Sequence, residues 1–584
     1  MKIKHFFGLA VIAAMTASCS SNEDLGTAGP GTGTNETGVG YATFTINLPS
    51  VSGTRADAGG AEMNEGTKEE YAVKSATALI FQKYGADEGS NKFVESVTLP
   101  IDGWTDDPED GITTTSKKLV AKLTNVDTKN DYSVLILLNN TKVALPTVGQ
   151  SYNDWNSKNI LTPSVTDWTG SDGFYMANAP LKGSGASPAI LVPINKDKIY
   201  ASEAIAKEDA SECAATVFVE RGVAKMSVAD PTPTDPIKVK DKATKAETES
   251  TVKFNNWALD ITNKKTYAVH NIDGLESDFG DIWKTDPSNR FIGTNNRVYW
   301  GKDPNYDNKD LKLTDKDAER QAEFNFITAT SQIDKDFANT TDTNPVYCLE
   351  NTFNLTNMYQ GQTTRVIFKA KYAPKDDAGN SLADDDETFY TIGNMTTILN
   401  TDKLKAAVNA VANPVLPTGY TIDYTNFMTK EGSHVITLED IKDSSDKPLV
   451  ADKDYSGKTG DQIVADINTK LGLTDGGGRD EAKVGINTYL QGVTYYIARV
   501  KHFGDDKTSW SSGSAYDGHN DLFLGRYGML RNNWYELKVG NVYGPGYPGV
   551  PPVDPTLPDD ENEKYLSVSV KILSWAKWSH SYDL

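Results

Sequence analysis

The sequence predicts a mainly β protein: two tandem antiparallel β-sandwich domains with short helical insertions and an extended C-terminal strand. Three observations carry this. At 584 residues the chain exceeds one ordinary domain. Its 27 tyrosines and 10 tryptophans lean towards strand structure. Short apolar runs recur along it, separated by polar loops with little helix between them.

The chain opens on Lys2, Lys4 and His5, then the apolar run from Phe6 to Met15, then Ala17-Ser18-Cys19. That order of basic, apolar and small residues reads as a signal peptide, residues 1–18, too short for a permanent membrane span. Residues 19–40 are rich in Gly and Thr and read as a flexible tether.

Residues 41–55 come next. Ala42, Phe44, Ile46 and Leu48 alternate with Thr43, Thr45 and Asn47, the period of a half-buried strand. Pro49 ends it. The small, polar stretch from Ser50 to Ala56 reads as a loop open to proteases, with Arg55 near its end.

Residues 56–230 read as the first sandwich. Ala76 to Phe81, Lys118 to Leu123, Ser133 to Leu138, Ala189 to Val192 and Thr216 to Val228 are its strand candidates. The proline-punctuated stretch from Asp230 to Pro236 is taken as the boundary. Residues 231–543 read as the second sandwich, with strands at Trp257 to Ile261, Thr363 to Tyr372, Thr494 to Lys501 and Trp534 to Val542. Lys403 to Val411 and Gln462 to Leu471 have the spacing of short amphipathic helices. Residues 544–584 hold a proline-rich spacer and a last strand. At about 3.1 Å per residue, the spacer's twenty residues would reach roughly 60 Å, beyond the radius of their own domain. In the last strand Leu566, Val568, Val570 and Ile572 alternate with Ser567, Ser569 and Lys571, the pattern of the first strand again.

A net charge of −22 argues against nucleic-acid binding. The only cysteines are Cys19, Cys213 and Cys348. They form no CxxC or zinc-like spacing, and pairing of Cys213 with Cys348 stays open beside two separate thiols. Gly457-Lys458-Thr459 lacks the earlier glycine of a phosphate loop, since Asp452 stands there. Asp303, Asn305 and Asp307 begin like a calcium loop, but Asn308 and Thr314 replace its turn glycine and closing glutamate. No HExxH or G-x-S-x-G is present, so neither an enzyme nor a cofactor is expected.

Four segments together resemble the fimbrillin family, the type V pilins of Bacteroidetes, most closely the major subunit of the short (minor) fimbriae. They are the signal followed by YATFTINLPSVSGTRA, then VFVERGVAKMSV, then TTRVIFKAKYAPK, and finally RYGMLRNNWYELKVGNVYGPG with YLSVSVKILSWAKWSHSYDL at the chain end. Ala17-Ser18-Cys19 resembles a lipobox, although Thr16 stands where leucine is usual. The resemblance implies two transthyretin-like domains and a lipoprotein precursor, lipidated at Cys19 and carried to the outer-membrane surface. It implies cleavage between Arg55 and Ala56 by an arginine-specific protease, which removes the first strand as a propeptide. Leu566, Val568, Val570 and Ile572 of another copy then replace Ala42, Phe44, Ile46 and Leu48. The implied product is a fimbrial shaft supporting adhesion and biofilm growth, with accessory and anchor subunits and surface receptors as further partners. The alternatives are an accessory tip or anchor pilin of the same family, or a glycan-binding surface lipoprotein.

Overall fold

The computed structural model describes residues 33–35, 38–49, 63–64, 66–102, 104, 116–182, 187–208, 213–229, 235–278, 297–337, 345–503, 523–559 and 566–575. It is mainly β, with many sheets and a few short helices.

The first half forms β1 (Gly40–Asn47), β2 (Met63–Asn64), β3 (Ala76–Gln82), β4 (Lys92–Thr98), β5 (Ser116–Leu123), β6 (Tyr132–Leu138), β7 (Met176–Asn178) and β8 (Ile199–Tyr200). Helix α1 (Glu203–Glu208) and strand β9 (Ala215–Arg221) follow. Hydrogen bonds join the strands in the order β8-β1-β9-β7-β6-β3-β4, with β5 on the other side of β1. All of β6 is buried, which explains its unbroken apolar run. The weak candidate at Ala189 to Val192 is split between two short pieces, Pro188–Ala189 and Val192–Ile194.

The run from Thr216 to Val228, read as one strand, is two. It breaks at Gly222, and β10 (Val223–Ala229) enters a different sheet. The break falls at a close approach: a Cβ at Gly222 would lie 2.6 Å from Trp168 Cε3 and 2.9 Å from Tyr175 Cδ1, so only glycine fits there. The core of the first half ends near this point, and that of the second begins with Ala224, Met226 and Val228.

The second half forms β11 (Ile237–Lys240), β12 (Glu247–Asp260), β13 (Val346–Leu349), β14 (Arg365–Ala373), α2 (Thr401–Ala412), α3 (Gly460–Leu471), β15 (Val493–Arg499), β16 (Trp534–Val542) and β17 (Leu566–Trp575). One sheet runs β13-β10-β16-β17-β2 and another β11-β12-β14-β15. Most pairings are antiparallel, but β1 with β9, β10 with β16 and β2 with β17 are parallel. Both expected helices form. They pack Leu404, Val408 and Ala412 against Ile463 and Ile467 in a core of their own. Thr459 caps α3 by accepting from Gln462 N, and Gly472 ends it at φ 71°. The Gly-Lys-Thr stretch is thus a helix cap.

The proline-rich spacer does not stand away from its domain. Tyr496 and Tyr489 donate their hydroxyls to the carbonyls of Gly544 and Gly546, at 2.8 and 3.1 Å. Tyr547 exchanges backbone hydrogen bonds with Tyr495. Arg365 donates to the carbonyls of Pro551 and Pro552, at 2.6 and 3.3 Å, while its Nε holds Asp260 at 2.8 Å. Asp559, fully buried, accepts from the Thr363 hydroxyl. Proline removes donors but keeps every carbonyl as an acceptor, and this domain supplies the donors. The segment is a strap that returns the chain to its own sheet, and the expected free reach of the tail is corrected accordingly.

Candidate functional site at the first and last strands

β1 is enclosed on both edges. Along one it pairs antiparallel with β5, from Gly40 opposite Leu123 to Asn47 opposite Ser116. Along the other it meets β8 at Tyr41 and Ala42, then β9 in parallel from Phe44 to Asn47. Ala42, Phe44, Ile46 and Leu48 face the core and are at most 2% exposed. At about 1.5–3 kcal/mol per large apolar side chain, the strand gains roughly 5–10 kcal/mol from burial before ordering costs. Taken away, β1 leaves a slot with an apolar floor and unpaired backbone groups on both walls, a template for another strand.

The outer face of β1 is covered too. Thr43 is only 5% exposed, and its hydroxyl donates to the Ala206 carbonyl of α1 at 2.8 Å. Sequence alternation marks Thr43 as outward and polar; only the fold shows a helix over it.

Backbone pairing places Leu566, Val568, Val570 and Ile572 on β17 opposite Val542, Val539, Leu537 and Tyr535 of β16. On its far side β17 meets β2 at Ser574 and Trp575, the one pairing on that side among the described residues. Among the described residues β17 thus has one full-length neighbour, whereas β1 has neighbours along both edges. Cys19, Arg55 and Ala56 lie outside the described residues.

Downstream of residues 50–62, the chain is tied into the junction between the two halves. Glu70, fully buried, accepts from Lys225 at 2.8 Å, and its backbone carbonyl accepts from Arg221 at 2.8 Å. The Lys225 ammonium also sits 3.5 Å over the Trp534 ring of β16. Nearby, His270 and Arg297 both contact the buried carboxylate of Glu220. Glu220 and Arg221 are adjacent in sequence, but their partners come from distant segments.

Elsewhere in the first half, Glu88 accepts from the backbone of Ile190 and Leu191. Burial pushes its pKa up to about 7 despite those hydrogen bonds. Cys213 and Cys348 are both free thiols, and burial pushes Cys348 up to about 12. Asp303 is held by the backbone N–H groups of Asn305 and Thr352, each at 2.6 Å, so its carboxylate organises a buried loop. No cluster of metal-binding side chains occurs among the described residues. No described helix is long and apolar enough to cross a membrane.

Fold and site define a β-rich protein whose first strand fills a slot between β5 on one edge and β8 and β9 on the other, and whose last strand lies beside β16. Residues 487–581 match the family described as "Major fimbrial subunit protein type IV, Fimbrillin, C-terminal", a stretch that begins before β15 and takes in β16, the strap and β17. None of the curated proteins matches the chain. Among solved structures, a candidate cell adhesion protein from Parabacteroides distasonis ATCC 8503 is similar over 92% of this chain and 99% of its own, at 10% identity and a TM-score of 0.38. A likeness that weak carries no argument by itself.

Proposed function

We propose that the chain is a structural subunit of surface fimbriae, a shaft subunit that polymerises by exchanging strands between copies and serves adhesion and biofilm growth. The observation that carries this is the enclosure of β1, a strand whose core face is buried and which the sequence follows with a small, polar stretch containing Arg55. The fimbrillin match over residues 487–581 supports the class.

In this reading the precursor is a lipoprotein anchored through Cys19, and β1 fills its own slot until an arginine-specific protease cuts after Arg55. The segment beginning at Ala56 stays with the subunit through Glu70. The vacated slot then receives Leu566, Val568, Val570 and Ile572 from the next copy. Transfer places β17 in a slot with neighbours along both edges, where its backbone groups pair on either side. Before cutting, the tethered β1 competes at high effective concentration and keeps the chain monomeric. The transthyretin-like character of the two domains, residues 56–230 and 231–543, and the closeness to short-fimbria subunits belong to the same reading.

The test is purified precursor lacking the signal peptide, with Cys19→Ser. It should run as a monomer, and form fibres after cleavage by an arginine-specific protease. Arg55→Ala should resist both steps. Fibres from the uncut chain would overturn the mechanism.

A further inference from the structure

We infer that the incoming last strand enters the slot in the same direction as β1, and that Ser567 replaces Thr43 as the donor to the Ala206 carbonyl. This rests on the strand exchange proposed above and adds its direction, its register and a positioning residue.

Written in the same direction, Tyr41-Ala42-Thr43-Phe44-Thr45-Ile46-Asn47-Leu48 superposes on Tyr565-Leu566-Ser567-Val568-Ser569-Val570-Lys571-Ile572. The apolar positions coincide, and so do both hydroxyl positions. Alternation alone does not choose among registers two residues apart or between the two directions. The contacts around β1 do.

In the matched register Lys571 takes the place of Asn47, a half-buried position at the strand end, where solvent can reach an ammonium. Reversal with the apolar block kept in place puts Lys571 at the position of Thr43, beneath α1. A cation buried there without a partner is strongly disfavoured. A forward slip of two residues puts Leu566 in the place of Gly40, where a Cβ would lie 2.6 Å from Ile199 Cγ2. It also drops Ser574 into the core position of Leu48. The opposite slip places Tyr565 beneath α1 and Lys564 in the core position of Ala42. Only the matched register fills all four apolar positions and returns a hydroxyl to the Ala206 carbonyl. Without that donor the carbonyl, on a residue 1% exposed, loses the side-chain hydrogen bond it has in the precursor.

The experiment uses cut, fibre-forming protein in a Cys213→Ser background. Asn47 and Ser116 are directly opposed across β1 and β5, a separation a disulfide can span, and Ser116 is exposed. Lys571→Cys with Ser116→Cys should give fibres bridged from subunit to subunit under mild oxidation. A bridge from Ser567→Cys to Ser116→Cys instead would show the reversed direction. Fibres with neither bridge would overturn the register. Cut wild-type protein that makes no fibres, or fibres that keep residues 41–49, would overturn the strand exchange itself. For the positioning role, Ser567→Ala should dissociate about tenfold faster from fibres, as loss of one buried hydrogen bond implies. Ser567→Thr should restore the wild-type rate, and Ser569→Ala, at the half-buried place of Thr45, should leave it unchanged. Equal effects of the two alanine substitutions would remove Ser567 from that role.

Discussion

Phe44→Ala tests whether the slot changes its occupant on assembly, as the proposed exchange requires. Phe44 is fully buried, opposite Leu119 on β5 and Ala215 on β9. Emptying such a position costs about 3–5 kcal/mol, through lost transfer energy and the cavity left behind. For a domain of this size that lowers the melting temperature by roughly 6–20 °C. The uncut chain should show this in a thermal melt. On the proposed exchange fibres should not, because β1 would be gone from them and Val568 of a neighbour would take its place. The assay compares melting of purified precursor with thermal dissociation of assembled fibres, wild type against Phe44→Ala. If the fibres lose as much stability as the precursor, β1 is still in its slot and the reasoning fails.

Replacing Val568 and Val570 together by Asp puts two carboxylates into an apolar slot, each costing several kcal/mol. The variant should accept a wild-type strand but not donate its own, shortening fibres in mixtures seen by electron microscopy. Arg365→Leu removes the donor to Pro551 and Pro552 and leaves Asp260 without its cation, so residues 544–559 should be cut sooner in limited proteolysis. Glu88 has a folded pKa near 7 against an ordinary 4.5, so the folded state holds its proton more tightly. Its contribution is full below about pH 4.5 and is lost as pH rises through about 7. Glu88→Gln should flatten that part of a stability profile measured by chemical denaturation. Fatty-acid labelling in cells should tag the wild-type precursor and miss Cys19→Ala.

Most strands and both longer helices were legible because one face of each meets a core, and alternation or helical spacing records that face. Ala42, Phe44, Ile46 and Leu48 were legible for this reason, as were Leu404 and Val408. What alternation does not encode is which sheet a strand joins. VFVERGVAKMSV reads straight through Gly222, yet the chain changes sheets there, at a glycine that Trp168 and Tyr175, distant in sequence, leave no room to replace. The last strand was legible as a strand, but its place beside β16 depends on the strap. The strap in turn depends on Tyr489, Tyr496 and Arg365, whose hydrogen bonds to proline-segment carbonyls leave no local pattern. Thr43 was hidden likewise, since nothing near it in sequence announces α1.

The central claim is that β1 is absent from assembled subunits. N-terminal sequencing of subunits released from washed surface fibres tests it most directly. The account predicts a single sequence beginning at Ala56, with Tyr41 to Arg55 missing. Subunits that begin upstream of Tyr41 and retain the whole first strand would contradict it.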